Sequence, residues 1–348
     1  MPRPLTLLPG ILLAAALGGV AIGLHALEAR FLAHPPLEAL VLALLLGVLF
    51  RQIVGSIPRC LPGQSYCAKQ LLELAVLLLG ATMDLRQVLA GGPRLLLAVA
   101  LVVGVSLLGS ALIAQRLFAL PRKPSLLIAV GNAICGNSAI ATVAPLIGAS
   151  TAEVAGAIAF TALLGVGLVL LLPSAITLLG LSHNQYGVLV GMSVYAVPQV
   201  LAASYPVSEV AGQSATLVKL IRVLFLAPVA VYFALREGLQ STATATSPAS
   251  GPASKQRLSL AQLIPWFIAG FLVLSTLRSI GLIPVAVAAW IKEGSRLLTV
   301  LGMAALGLAV DMHALRVAGR RTAGAVLASL LLLLLLSYAL IRVLHLGQ

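Results

Sequence analysis

Gly131-Asn132-Ala133-Ile134-Cys135-Gly136-Asn137-Ser138-Ala139-Ile140-Ala141 places two amides, a hydroxyl and two glycines inside an otherwise apolar stretch. Such residues weaken a helix and offer polar groups where water is scarce. Close helix packing explains the glycines and alanines, but not the paired asparagines. Irregular backbone inside a membrane persists only where protein or a water-filled cavity covers it. The pattern therefore predicts a helix break that holds something polar, with Asn132, Gly136, Asn137 and Ser138 as candidate ligands.

A second stretch, 191–203, carries Pro198 in mid-span, with Tyr195 and Gln199 beside it. Proline removes a ladder hydrogen bond, so a second discontinuous helix is one reading and a kinked packing helix with a buried tyrosine the other. Lys219 and Arg222 lie three apart, on one face of an apolar helix. Each costs about 2.5–3.5 kcal/mol on insertion scales, and two cations repel unless an anion joins them. An anionic substrate would do so. Alternatively Lys219 snorkels to the interface and Arg222 pairs with Glu73 or Glu153. Glu73, Asp84 and Asp311 are the candidate coupling-ion carriers, the two aspartates sitting near helix ends where a cap or salt bridge is the competing explanation.

The elements that position these residues follow from composition. The 348-residue chain is 60% hydrophobic and only 9% charged, with mean hydropathy +1.10. A soluble domain carries about a quarter charged residues, so an all-α polytopic membrane protein is expected. At roughly 20 apolar residues per span, the candidate spans are 5–24, 37–54, 70–90, 95–116, 124–148, 154–180, 185–204, 212–235, 260–280, 295–312 and 322–345, about eleven. A short interfacial helix over 284–290 is added, and the leucines of 330–336 read as lipid-facing. The net charge of +13 lies mainly between apolar segments, where headgroups and topology explain it, and with 5% aromatics no stacking platform for bases is visible. Cys60, Cys67 and Cys135 form no zinc or disulfide pattern. Neither a metal nor a cofactor is expected. The low-complexity segment 241–254 reads as a flexible cytoplasmic linker within one transmembrane domain spanning 1–348.

An internal repeat is visible. Leu79-Gly80-Ala81-Thr82-Met83-Asp84-Leu85 resembles Leu306-Gly307-Leu308-Ala309-Val310-Asp311-Met312, an offset of 311 − 84 = 227. At that offset Lys69 meets Arg296 and Gly92 meets Gly319. Inverted repeats of secondary transporters have this character. The 131–141 break would then need a partner after the last span, where the chain ends.

The 131–141 motif followed by Pro145, the 191–203 stretch, Thr216-Leu-Val-Lys219-Leu-Ile-Arg222-Val with Pro228, and 302–311 together resemble the sulfate-exporter family of the bacterial inner membrane. That family is grouped with the bile acid–sodium symporter superfamily. The resemblance implies inverted repeats with broken, crossed helices, and it carries Asn132, Asn137, Ser138, Lys219 and Arg222 over as site positions. The chain departs from the pattern at Tyr195-Ala196, where the family has a histidine followed by an acid, so no proton relay is carried over there.

The expected function is a secondary active exporter of a small anion such as sulfate or an organic sulfonate, with a proton or sodium ion as coupling partner. A cation–proton antiporter using the membrane carboxylates is the alternative. An enzyme is not expected: no His-Glu-x-x-His or Gly-x-Ser-x-Gly occurs, and no Gly-x-x-x-x-Gly-Lys-Ser/Thr phosphate loop is present. The bilayer and a second copy in a homodimer complete the expected partners, and nucleic acid is not among them. With the N-terminus cytoplasmic, twelve Lys and Arg of the loops and termini fall on the cytoplasmic side (among them Arg51, Arg122, Lys123, Arg320 and Arg321) and four (Arg30, Arg86, Arg94, Arg278) opposite. A reporter fused after residue 254 should therefore be active only as a cytoplasmic reporter. Activity of a periplasmic reporter there would reverse the assignment.

Overall fold

The computed structural model describes residues 4–31, 38–82, 92–244, 266–310 and 312–347, and among them there are helices and no strands. In chain order the main helices are α1 (Pro4–Phe31), α2 (Ala39–Val54), α3 (Leu61–Tyr66), α4 (Leu72–Leu79), α5 (Gly92–Leu112), α6 (Arg122–Ala133), α7 (Asn137–Val143), α8 (Thr151–Leu171), α9 (His183–Ser193), α10 (Val197–Ser204), α11 (Glu209–Leu224), α12 (Leu226–Thr244), α13 (Trp266–Ser279), α14 (Val285–Leu308) and α15 (Met312–Val343). A π turn over Cys67–Leu71 joins α3 to α4. Helix starts follow local chemistry. Ser150 with Glu153 and Ser182 with Gln185 form capping boxes ahead of α8 and α9.

Five helical stretches among the described residues are long and apolar enough to cross a bilayer: Thr6–Glu28, Gly92–Leu117, Thr151–Leu179, Glu209–Arg236 and Gly319–Val343. Shorter apolar helices accompany them. The protein is a polytopic helical membrane protein, and helix covers part or all of each expected span. Three local expectations change. Residues 285–290 are the first turns of α14, continuous with the span that follows, because nothing between Val285 and Leu308 breaks the helical pattern. The leucine run is two-faced: Leu330 and Leu333 are buried while Leu331 and Leu335 are exposed, as a 3.6-residue period requires. Helix α12 also reaches four residues into the expected linker, to Thr244; 245–254 lie outside the described residues.

The helices pack as two groups. One holds α1 to α4 with α13 and α14; the other holds α5 to α11 with α15, and few contacts join them. The 227-residue correspondence is present in three dimensions. Residue 39, the start of α2, maps onto 266, the start of α13 (39 + 227). Gly92 at the head of α5 and Gly319 at the kink in α15, where the span Gly319–Val343 begins, both adopt positive φ, +64° and +85°. Packing is exchanged between the copies, with α2 against α14 and α13 against α4. The partner of the 131–141 break lies 60 residues on, at α9–α10, rather than beyond α15. Helix α15 ends against the start of α9, with Ser182 Oγ donating to Gly347 O at 3.2 Å, much as α5 leads into α6.

Gly47 of α2 and Gly307 of α14 let these backbones touch. A Cβ on Gly307 would lie 2.8 Å from Val48 N and 3.0 Å from Gly47 Cα. Gly307→Leu should cost at least roughly 1–3 kcal/mol by overpacking, read as a lower melting temperature in detergent. Gly104→Ala, with nothing within 4 Å of the added carbon, should leave the melting temperature within a degree or two.

Candidate functional site

The first break is local in origin. Helix α6 ends at Ala133, and Gly136 turns the chain with φ +67°, where a Cβ would also press on Tyr195 at 3.2 Å. Asn137 then opens α7. The second break follows the same course: α9 ends at Ser193, Val194 and Ala196 are extended, and α10 opens at Val197 with Pro198 in its first turn, where a missing N–H is harmless. Both breaks span three residues, and every boundary differs by 60 (193 − 133, 197 − 137).

Breaking a helix strands carbonyls at its C-terminal end. Here both stranded ends are bound by α11. Lys219 Nζ donates to Ile134 O at 2.7 Å and to Val194 O at 2.9 Å. Arg222 Nε donates to Ala133 O at 3.1 Å and Nη2 to Asn132 O at 2.7 Å. Its Nη1 donates to Gly191 O at 3.1 Å and to Met192 O. Ile134 and Val194, like Asn132 and Met192, are 60 apart, so the two cations clasp equivalent carbonyls of the two copies. Both side chains are 0% exposed. The expected alternatives, snorkelling for Lys219 and an acid partner for Arg222, do not occur: Glu73 accepts from Trp266 Nε1 at 2.8 Å and Glu153 bonds Ser150 at 2.7 Å. Each helix C-terminus carries about −0.5 elementary charge, so two ends offset about half of the two positive charges.

The opposite ends of the break, the first turns of α7 and α10, open on a cavity of about 560 Å³ between the two helix groups. Asn137, Ser138, Cys135, Val197 and Pro198 line one wall; Lys69, Gln70, Glu73, Trp266 and Leu306 line the other. Asn137 is anchored by Thr161 Oγ1, which donates to its Oδ1 at 2.8 Å. Thus Asn137, Ser138 and Glu73 of the expected site meet in one cavity. Gly136 forms the turn behind it. Lys219 and Arg222 stand behind the break, on its carbonyl side.

The remaining expected residues are buried and do not line the cavity. Asn132 Nδ2 donates to Ser110 Oγ at 3.3 Å while its Oδ1 has no partner. The Tyr195 hydroxyl is also buried without a partner. Gln199 Oε1 accepts from Ala196 N at 3.2 Å and so caps α10, in space that Gly165 leaves open. Asp84 and Asp311 lie outside the described residues. Three further residues were not singled out from sequence: Thr161, Trp266 and, as a cavity cation, Lys69. The signal available for Lys69 was its i, i+4 spacing to Glu73. Among the described residues no three His, Cys, Asp or Glu side chains converge as a metal site would require.

This arrangement, paired broken helices facing a cavity between two helix groups, is a transporter-like membrane site. Residues 9–326 match the family described as Conserved hypothetical protein 698, and the chain belongs to that family. It is similar to UPF0324 membrane proteins: 48% identical to one of Bradyrhizobium diazoefficiens over 98% of this chain and 94% of that one. A relative in Agrobacterium fabrum is 47% identical over 96% and 92%, and one in Bacillus cereus 33% identical over 91% and 88%. No solved structure matches the chain.

Arg222→Leu strands at least four buried carbonyls at about 1–3 kcal/mol each. It should abolish monodisperse protein on size-exclusion chromatography. Arg222→Lys, which reaches fewer of them, should give reduced yield of a less stable protein.

Proposed function

We infer that this protein is a secondary transporter of the bacterial cytoplasmic membrane, with its N-terminus inside, which exports a small anion such as sulfate or an organic sulfonate. The observation that carries the reading is the cavity at the break. Two half-helix N-termini open on it, and such ends favour anions. Lys219 and Arg222 add positive charge behind the break, and Lys69 adds another in the facing wall. Glu73 is the one carboxylate among the described residues that line it. Asn137 and Ser138 supply an amide and a hydroxyl at the anion position, and Lys69 meets it from the other helix group. Few contacts join the groups, so one can slide or rock against the other and expose the cavity in turn. With no phosphate loop in the chain, an ion gradient or exchange supplies the driving force. The placement of Glu73 in the cavity gives the second reading, a cation–proton antiporter, its one support.

Purified protein in proteoliposomes should take up labelled sulfate or a small sulfonate when a proton or sodium gradient is imposed. Asn137→Ala and Lys69→Ala should each raise the KM at least about tenfold, equivalent to ~1.4 kcal/mol, with little change in melting temperature. Absence of flux for every sulfur oxyanion removes the substrate assignment. Cation flux that is lost in Glu73→Gln and kept in Lys69→Ala selects the antiporter.

A further inference from the structure

Carbonyls at the C-terminal ends of broken helices are the groups with which secondary transporters hold coupling cations. In this fold two such ends face each other, and nitrogen atoms of the chain itself occupy them. Lys219 Nζ bridges Ile134 O and Val194 O at 2.7 and 2.9 Å. These two carbonyls occupy equivalent places in the two breaks, 60 residues apart, and they belong to different halves of the crossing. The amine is fully buried within the span Glu209–Arg236. The matching helix contributes no cation: α8 and α11 are capped by Ser150 and Ser208, 58 residues apart, and at that offset Lys219 and Arg222 fall on Thr161 and Leu164. All the positive charge at the crossing therefore comes from one helix, α11.

We propose that Lys219 is a tethered counter-cation standing where an inorganic coupling ion would otherwise bind. The wild-type crossing then takes no sodium, and deleting the amine opens a site for Na⁺ or ammonium. The ammonium group gives hydrogen bonds to two carbonyls that carry the negative ends of two helix dipoles. Without it Ile134 O is left buried and unpaired and Val194 O keeps only the long 3.5 Å contact from Arg222 Nη1, in a pocket vacated in the alanine variant by three methylenes and an amine. Hard monovalent cations prefer such oxygen ligands, and ammonium reproduces the lost donor group. Arg222 holds the neighbouring carbonyls, so the vacated site keeps its walls. As a consequence that rests on the transporter reading, a sodium gradient would not drive flux through this position, leaving protons or anion exchange. The site itself is tested without substrate, so its failure and the failure of the transport reading are separable.

The full chain is purified in detergent, and melting is followed in choline chloride, sodium chloride and ammonium chloride at equal ionic strength. Wild type should melt at the same temperature in all three. Lys219→Ala should melt lowest in choline and gain on the order of 5 °C in sodium or ammonium, saturably. Lys219→Arg, which keeps the tethered charge, should show no such gain. A saturable sodium-dependent gain in wild type would overturn the proposal, as would a folded Lys219→Ala protein that melts alike in all three salts. If the alanine variant does not fold, Lys219→Gln takes its place, under the same two criteria. A failure of both variants to fold in any of the salts would count against a site that inorganic cations can fill.

Discussion

Main-chain carbonyls cannot be left bare at membrane depth, and two helix breaks in one place strand a double set of them. The arrangement around the crossing follows from that constraint. Helix α11 must run past both breaks, with Lys219 and Arg222 on the face that meets them. The chain must bring the C-terminal ends of α6 and α9 together at these two side chains. One cost is met twice over. The carbonyls gain donors, and two charges that would each be expensive alone gain a negative environment with no acid side chain bonded to them among the described residues.

That same constraint separates the two sides of the site. The carbonyl side is closed, since it is filled by side chains of the protein. The N–H side is open, because α7 and α10 begin at the cavity wall, α7 with Asn137 and Ser138 and α10 with Val197 and Pro198. A break closed on its negative face and open on its positive face presents an anion-favouring surface. The two cations stand behind that surface, on the carbonyl side. The opposite wall belongs to the other helix group, where the π turn at Cys67–Leu71 turns Lys69 and Gln70 toward the cavity. Such turns recur at functional sites.

Much of this was legible in the sequence, and the rest was not for identifiable reasons. The two asparagines of 131–141 announce a break because close packing, which explains the glycines, has no need of them, and Pro198 announces the second. Lys219 and Arg222 announced a shared partner because they lie on one face. Their partner was sought among acids and substrates, since pairing rules count side chains and overlook the carbonyls that a broken helix exposes. Gln199 looks like a ligand in the sequence because an amide at membrane depth is conspicuous. Its contact with Ala196 N and its seat on Gly165 depend on tertiary packing that no local pattern encodes. The repeat at 227 residues is visible from Gly-x-x-x-Asp, whereas the 60-residue relation between the breaks is hidden, as little beyond Val130-Gly131 with Val190-Gly191 and the break lengths match. Thr161 and Trp266 left no mark at all, being single polar residues whose partners lie 24 and 193 positions away.

The division of labour at the crossing can be seen directly. A high-resolution map of the protein soaked with selenate, whose selenium is located by anomalous scattering, would place the anion relative to the two cations. The account predicts selenium in the cavity beside Asn137 and Ser138, with Lys219 Nζ still bridging Ile134 O and Val194 O. Selenium bound directly to Lys219 and Arg222, with their nitrogens withdrawn from the main-chain carbonyls, would contradict it.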